Sequence, residues 1–359
     1  MSRRIRVIRF IRLTRLIGCI QAILVLQQLS LNLNNLYAQD HIYSQFYNAP
    51  NYLNPALNGQ FEGDLRLNMI YRNQWTNISG PLTYYSFSAD YAIPEFNGGI
   101  GLLATSSSEG TAYLRKNNIS GIYSYSVGFN NAILSLGIQA GVTNRRIDES
   151  KLVFGDQLDR NGIILDGESS ANLLTLNNRL FFDSGAGANL VVGKFMVGAA
   201  AQHLNQPDES FTGSKAKLPI RYNGHASYRL DLDYYDDENS PVLIPSVLFY
   251  KQGQAQSFSL GAQLKNRRMN VGLWYRGEGS RQDAIVVSLI LDIFNRRDSY
   301  DKVRLGISHD ATTSKLNYTN TSGSTEGAIT WETTFPNRAS NGGGLGNRYN
   351  FGKRCYDFY

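Results

Sequence analysis

Alternation of polar and apolar residues constrains this chain more than any other feature of its sequence. In the stretch "RYNGHASYRLDL" (221–232), even-numbered positions are apolar, aromatic or glycine, and odd-numbered positions are Arg, Asn, His or another polar residue. Only a β-strand has a side-chain period of two, so one face is apolar and the other, with His225, is polar. A tilted strand crosses a bilayer with about 9–11 residues. This stretch is therefore long enough to span a membrane.

The same alternation recurs along most of the chain, and no strong helical period accompanies it. We expect about twelve to fourteen strands between Asp64 and Trp331, and bacterial barrels favour even numbers. A soluble β-sandwich or barrel also alternates. However, charged residues lie mid-strand on the polar face, as in a wet lumen, and aromatic residues cluster at strand ends. Both features favour a transmembrane β-barrel over 64–336; the clearest alternating segments are 65–71, 84–91, 134–142, 258–265, 285–292 and 303–308.

Composition agrees with a membrane barrel and excludes a nucleic-acid-binding face. Charged residues make up 18% of the chain, which also holds 34 glycines, 22 tyrosines and 17 phenylalanines, whereas a soluble domain carries about 25% charged residues. The net charge of +6 is matched by six arginines near the start of the chain, so the remainder is near neutral. Those residues are Arg3, Arg4, Arg6, Arg9, Arg12 and Arg15. No basic surface for nucleic acid is indicated.

The first 38 residues have the pattern of a cleaved secretory signal peptide. The arginine-rich start is followed by an apolar run over 17–36 and by a small residue, Ala38, before polar residues. An uncleaved membrane anchor is the alternative, but polar residues that include Gln21, Gln27, Gln28 and Asn32 interrupt the run, which disfavours a stable spanning helix. After cleavage Cys355 is the one cysteine left, so an internal disulfide is impossible.

Two terminal segments lack the alternation. The run "SQFYNAPNYLNPALNG" (44–59) contains two prolines, which favour turns, and it can be ordered only by contact with something larger. We assign 39–63 to this N-terminal segment. The tail, 337–359, is glycine-rich and is predicted to be flexible.

No arrangement of residues indicates catalysis, a metal site or a cofactor. His203, His225 and His309 are possible bases, but the sequence has no nucleophile elbow, and His309 would point away from its neighbours in a strand. We therefore expect that the protein is not an enzyme and has no cofactor.

Several runs, taken in order, resemble the PorP/SprF family of outer-membrane proteins of the Bacteroidetes type IX secretion and gliding machinery. The 44–59 run resembles the family's N-terminal signature. The others are "YRNQW" (71–75), "GPLTYYSFSADY" (80–91), "GGIGLLATSSSEG" (98–110), "FGDQLD" (154–159), "AAQHLNQP" (200–207), "LPIRYNGHASY" (218–228), "GLWYRG" (272–277) and "ISHDATTSKL" (307–316). One departure is that Cys355 is followed by Tyr356, where the family usually has proline.

The resemblance implies an all-β, fatty-acid-transporter-like outer-membrane barrel of about fourteen antiparallel strands. It also implies a role in export or surface attachment of cargo, such as adhesins with C-terminal sorting domains, by protein–protein contact. The implied partners are cargo, other secretion components and outer-membrane lipid, with no nucleic acid and no small-molecule substrate. A porin or hydrophobic-solute channel is the alternative, and a structural anchor to peptidoglycan is a third.

For the 44–59 run, the resemblance implies a position in the periplasm or the lumen before the first strand. The run is then a plug, a docking peptide for a partner, or a strap that closes the barrel floor, with Tyr47, Tyr52 and Leu53 as anchors. The candidate contact residues are Gln45, Phe46, Asn48, Pro50, Asn54 and Pro55.

Overall fold

A computed structural model describes most of the chain after the predicted signal peptide. The described residues are 40–61, 63–80, 82–111, 114–129, 132–148, 152–160, 178–211, 215–232, 240–266, 268–279, 281–295, 301–335 and 358. The predicted signal peptide (1–38) and the tail (337–359), apart from Phe358, lie outside them.

The described part of the chain is built almost entirely of strands. They are β1 (Leu65–Gln74), β2 (Leu82–Ile93), β3 (Gly98–Glu109), β4 (Leu114–Phe129), β5 (Ala132–Arg146), β6 (Arg179–Val192), β7 (Phe195–Gln202), β8 (Arg221–Tyr228), β9 (Leu230–Asp231), β10 (Val242–Gln252), β11 (Ala255–Lys265), β12 (Met269–Glu278), β13 (Arg281–Asn295), β14 (Asp301–Thr312) and β15 (Ser324–Thr333). Short helices are α1 (Pro50–Leu53) and α2 (Tyr318–Thr321), with 3-10 turns at Phe46–Asn48, Pro55–Leu57, Pro94–Phe96 and Gly155–Gln157.

These strands close into one antiparallel barrel. Each pairs with its neighbours in chain order, and β15 pairs back onto β1, with Leu65 opposite Thr333. β8 and β9 pair successively with β10, so they are two parts of one strand, and the barrel has fourteen strands. Closure pairs every strand edge, as a lipid environment requires. The predicted fold class is confirmed.

One predicted strand is broken in the structure. The alternation predicts a single strand over 221–232, but Arg229 lies outside the ladder between β8 and β9. The Arg229 amide donates to the carbonyl of Lys194, 2.9 Å away in the turn before β7, and its Nε donates to Asp231. The Lys194 bond lies on the β7 side of the strand. On the β10 side the register is the same before and after the break, and Pro245, between the two paired stretches of β10, has no amide hydrogen to donate. The strand is therefore interrupted while its side chains keep their period.

The barrel has a polar interior and an apolar exterior. In β8, Arg221 and His225 are buried, whereas Tyr222 and Tyr228 are exposed. Exposed leucine, isoleucine, valine and aromatic side chains cover the outer faces of the other strands in the same way. Buried polar groups need hydrogen-bond partners inside, and an apolar outer band fits lipid. The predicted lumenal position of His225 is confirmed.

The two ends of the barrel differ in their connections. The near end holds the first residue of β1, the last residue of β15 and the two-residue turn at 193–194. At the opposite, loop end lie the last residues of β5, β7 and β14, each followed by more than ten residues before the next strand begins. Short turns face the periplasm in bacterial barrels and longer loops face outwards.

Among the described residues, no helix is both long enough and apolar enough to cross a membrane.

Candidate functional site

Residues 40–61, here called the lumenal segment, fill the interior of the barrel. The segment begins at the loop end with Asp40 and reaches β1 at the near end, where the Asp64 amide donates to the Thr333 carbonyl, 2.9 Å away. From residue 43 to residue 61 every residue is buried. The interior of the barrel is thus a contact surface between the strands and this segment.

Prolines and one asparagine set the local shape of the lumenal segment. Pro50 starts α1 and Pro55 starts the following 3-10 turn, both at positions where a missing amide hydrogen bond is harmless. The Asn54 side chain accepts from the Ala56 amide at 2.9 Å and so caps that turn. The result is a series of tight turns rather than a strand, as the sequence predicts.

Glycines on the inner faces of the strands make room for the lumenal segment. A Cβ added at Gly187 would lie 2.0 Å from Oδ1 of Asn54, and one added at Gly137 would lie 2.3 Å from the carbonyl carbon of Pro55. Asn54 then donates to the carbonyl of Ala188 at 3.0 Å. Close approach of the two backbones is possible only because these strand positions carry no side chain.

Near the loop end, a buried cluster of two arginines and two carboxylates holds the start of the segment. This arginine cluster consists of Arg72, Arg276, Asp310 and Glu326. Arg72 pairs with both carboxylates, and Arg276 pairs with Asp310 at 3.0 Å.

The lumenal segment completes the arginine cluster with its own polar groups. The amides of Ser44 and Gln45 donate to the two oxygens of Glu326, at 2.7 and 2.8 Å. The Ser44 hydroxyl donates to Asp310 at 2.7 Å, and Gln45 Nε2 donates to the Ser308 hydroxyl. Removing one partner of a buried ion pair costs about 3–5 kcal/mol, because the other charge is left uncompensated.

A second charged cluster surrounds Asp40 at the loop end. Asp40 accepts from Lys116 Nζ at 3.0 Å and pairs with His203, whose other ring nitrogen lies 2.9 Å from Asp183. Burial alone raises the pKa of Asp40, but Lys116 and His203 outweigh it and hold that pKa well below its usual range. Burial likewise lowers the pKa of His203, but Asp40 and Asp183 raise it to about 9. His203 is therefore protonated at neutral pH and bridges two carboxylates.

At the near end, a third group of charged residues fixes the end of the segment. Arg66 and Asp90 pair at 2.7 Å on adjacent strands, and Asp90 accepts from the Gly59 amide at 2.9 Å. Ser124 donates to the Asn58 carbonyl. Charged contacts therefore hold the segment at both of its ends.

An apolar cluster occupies the interior between the charged groups. Phe46 packs edge-on against Trp274, with ring centroids 5.0 Å apart, and Leu53 and Leu57 belong to the same cluster. Phe358, the penultimate residue, is 1% exposed and also belongs to it. The end of the chain thus contributes a side chain to the filled interior.

The six predicted contact residues all lie inside the barrel. Gln45, Phe46, Asn48 and Asn54 are each at most 4% exposed, and Pro50 and Pro55 are buried. The structure brings them together with the strands, and contact with a partner protein stays a prediction. Tyr52 also anchors the segment, because its hydroxyl accepts from Arg221 at 2.6 Å.

The charged strand residues that hold the segment were absent from the candidates drawn from sequence. Arg72 lies on β1, whereas Asp310 and Glu326 lie on β14 and β15, 238 and 254 positions later in the chain. Their one signal in the sequence is a charge in the middle of an alternating strand, on the polar face. Such a charge predicts a lumenal position without identifying its partner.

A family model described as the type IX secretion system membrane protein PorP/SprF matches residues 35–330 of the chain. No curated protein matches it in sequence. Among solved structures, the Acinetobacter baumannii outer membrane protein Omp33 is 6% identical with a TM-score of 0.40, and the match covers 77% of this chain and 100% of that one. The P. putida toluene transporter TodX is 10% identical with a TM-score of 0.42, covering 79% of this chain and 92% of that one. The strand pairing described above, rather than these likenesses, defines the fold.

Proposed function

The chain belongs to the PorP/SprF family of type IX secretion system membrane proteins, and from that membership we propose that it is an accessory outer-membrane barrel for protein secretion. In this role it assists export or surface attachment of cargo, such as adhesins with C-terminal sorting domains, through protein–protein contact. Its partners are the cargo and other components of the secretion system. It reaches the membrane through its predicted signal peptide and catalyses no reaction.

The filled lumen is the observation that carries this proposal. A passive pore needs a continuous water path, whereas the lumenal segment contacts the strands from the loop end to the near end. The contacts are buried and include charge-assisted hydrogen bonds, which are roughly twice as strong as neutral ones. A barrel filled in this way is suited to presenting a surface to another protein.

The second candidate is a porin or hydrophobic-solute channel, and the polar wall of the lumen favours it. If the segment left the barrel, Arg66, Arg72 and Glu326 would line the vacated path. Conductance through planar bilayers separates the two functions. The intact barrel should be closed and a variant lacking residues 40–61 should conduct; steady conductance by the intact barrel favours the porin.

Secretion itself is tested by comparing surface and culture-fluid proteomes of the parent strain and a clean deletion. Loss of one or a few proteins with a C-terminal sorting domain supports the proposal and identifies the cargo. An unchanged secretome combined with reduced uptake of small solutes contradicts it.

The docking role of the six candidate residues needs its own test, since all six are buried. Their joint replacement is compared with the parent for heat-modifiable migration, which reports barrel folding, and for secretion. Secretion lost from a folded barrel supports docking. A folded barrel that still secretes leaves the segment with a structural role only.

A further inference from the structure

We propose that the loop-end cavity of the barrel is a carboxylate-binding site built on Arg221. The cavity has a volume of about 260 Å³ and is lined by Asp40, His41, Arg221, Tyr250, Gln252 and Arg276, among others. It lies beside the start of the lumenal segment. Binding there is independent of the secretion role, because it depends only on the groups that line the cavity.

Arg221 is a buried guanidinium with unused hydrogen-bonding capacity. Its residue is 2% exposed, its Nε donates to Asn223 at 3.1 Å and its Nη1 donates to the Tyr52 hydroxyl at 2.6 Å. Among the described residues, none accepts a hydrogen bond from its Nη2. Leaving a buried charged donor unsatisfied costs free energy. A ligand that accepts a hydrogen bond from this nitrogen would remove that cost.

Arg221 also lacks the carboxylate that the other arginines of the cavity have. Arg72 pairs with Asp310 and Glu326, and Arg276 pairs with Asp283 and Asp310. Among the described residues, none of the ion pairs includes Arg221. The nearby carboxylate of Asp40 is already shared between Lys116 and His203.

Two aromatic rings hold the Arg221 guanidinium in place. Its central carbon lies 4.5 Å from the ring centroid of Tyr52 and 4.9 Å from that of Tyr250. Such cation–π contacts, together with the bonds to Asn223 and Tyr52, orient the group before any ligand arrives. A pre-organised group loses little conformational entropy on binding.

The chemistry of the cavity favours a carboxylate over a more highly charged anion. A guanidinium matches the planar geometry of a carboxylate. Asp40, Glu278 and Asp283 also line the cavity, and they repel a second negative charge such as that of a phosphate dianion. The volume suits a group of one or two amino-acid residues. The carboxylate of a peptide C-terminus and that of an acidic side chain both meet these requirements.

Calorimetric titration of the purified full chain in detergent tests the site. Three probes are used: N-acetylglycine, which has a terminal carboxylate; N-acetylglutamic acid α-amide, which has a side-chain carboxylate; and N-acetylglycinamide, which has none. We expect one or both acids to bind and the neutral amide not to bind. Which acid binds more tightly identifies the source of the carboxylate.

Variants then assign the binding to Arg221. R221Q should lower the affinity for the acid probe by about tenfold or more, which is the loss expected when a charged hydrogen bond is removed. R304Q is the matched control, because Arg304 pairs with Asp292 and does not line the cavity; it should bind as the parent does. If R221Q does not fold, R221K is used instead. It keeps the positive charge but loses the planar pair of donors of the guanidinium, so it should bind the acid probe several-fold more weakly than the parent does. No acid binding by the parent, equal binding of the neutral amide, or unchanged binding by the Arg221 variants would overturn the proposal.

Discussion

The backbone amide of Gln45 donates to Oε2 of Glu326 over 2.8 Å, across 281 positions of the chain. This bond joins the beginning of the described chain to its last strand. Glu326 is fully buried and also accepts from the Ser44 amide and from Arg72. One carboxylate therefore organises both the barrel wall and the segment inside it.

Replacement of Glu326 by glutamine should destabilise the folded barrel by roughly 3–5 kcal/mol, since Arg72 then loses one of its two carboxylates inside the protein. Urea unfolding in detergent, followed by tryptophan fluorescence, measures the change. The control is Lys194→Gln, which removes an exposed pair with Asp231 and should cost at most about 1 kcal/mol. Equal effects of the two variants would contradict the importance of the arginine cluster.

Replacement of Gly137 by alanine should loosen the lumenal segment while leaving the strands intact. The added methyl group would lie 2.3 Å from the carbonyl carbon of Pro55, and overpacking of this kind costs about 1–3 kcal/mol. Faster protease cleavage within 40–61 would report the loosening. Gly121→Ala on the outer face of β4 is the control, because a Cβ added there would lie 4.0 Å from its nearest neighbour, the Ala140 carbonyl oxygen. Identical cleavage of both variants would argue against close packing at Gly137.

Stability should fall as the pH rises from about 6.5 to about 9, because of His203. The pKa of His203 is raised from 6.5 to about 9 in the folded protein. Its contribution is therefore complete below the unfolded pKa and is lost as the pH passes the folded one, a change of up to about 3 kcal/mol. Unfolding midpoints measured across this range test the effect. His203→Gln should flatten the dependence, and a variant that keeps the full slope would show that another group is responsible.

Replacement of Phe358 by alanine should cost about 3–5 kcal/mol, as for other buried phenylalanines. The side chain belongs to the apolar cluster inside the barrel, so its loss leaves a cavity there. Phe96→Ala is the matched control, since Phe96 is 67% exposed in a near-end turn. Thermal unfolding midpoints of both variants are compared with that of the parent. If the Phe358 variant unfolds at the same temperature as the parent, Phe358 has no structural role.

The alternating pattern was sufficient to predict the barrel because strand period and burial are local properties. The faces of β2, with Phe87 outward and Ser86 inward, are those predicted, and so are those of β13. The break at Arg229 was not predictable, because it depends on the register against β10, which brings Pro245 opposite this part of the strand. The residues that contact the lumenal segment could not be predicted from the sequence either. Its turns follow from Pro50 and Pro55, but its location depends on residues more than two hundred positions away.

Pairing of β1 with β15 has a consequence for biogenesis. β1 directly follows the lumenal segment, and its partner β15 is the last of the described strands. The wall around the segment is therefore complete only when translation and export of the strands are finished. Until then, the asparagine-rich and aromatic run has no enclosure. Sealing of the first strand against the last is thus the step that commits the polypeptide to its final, enclosed form.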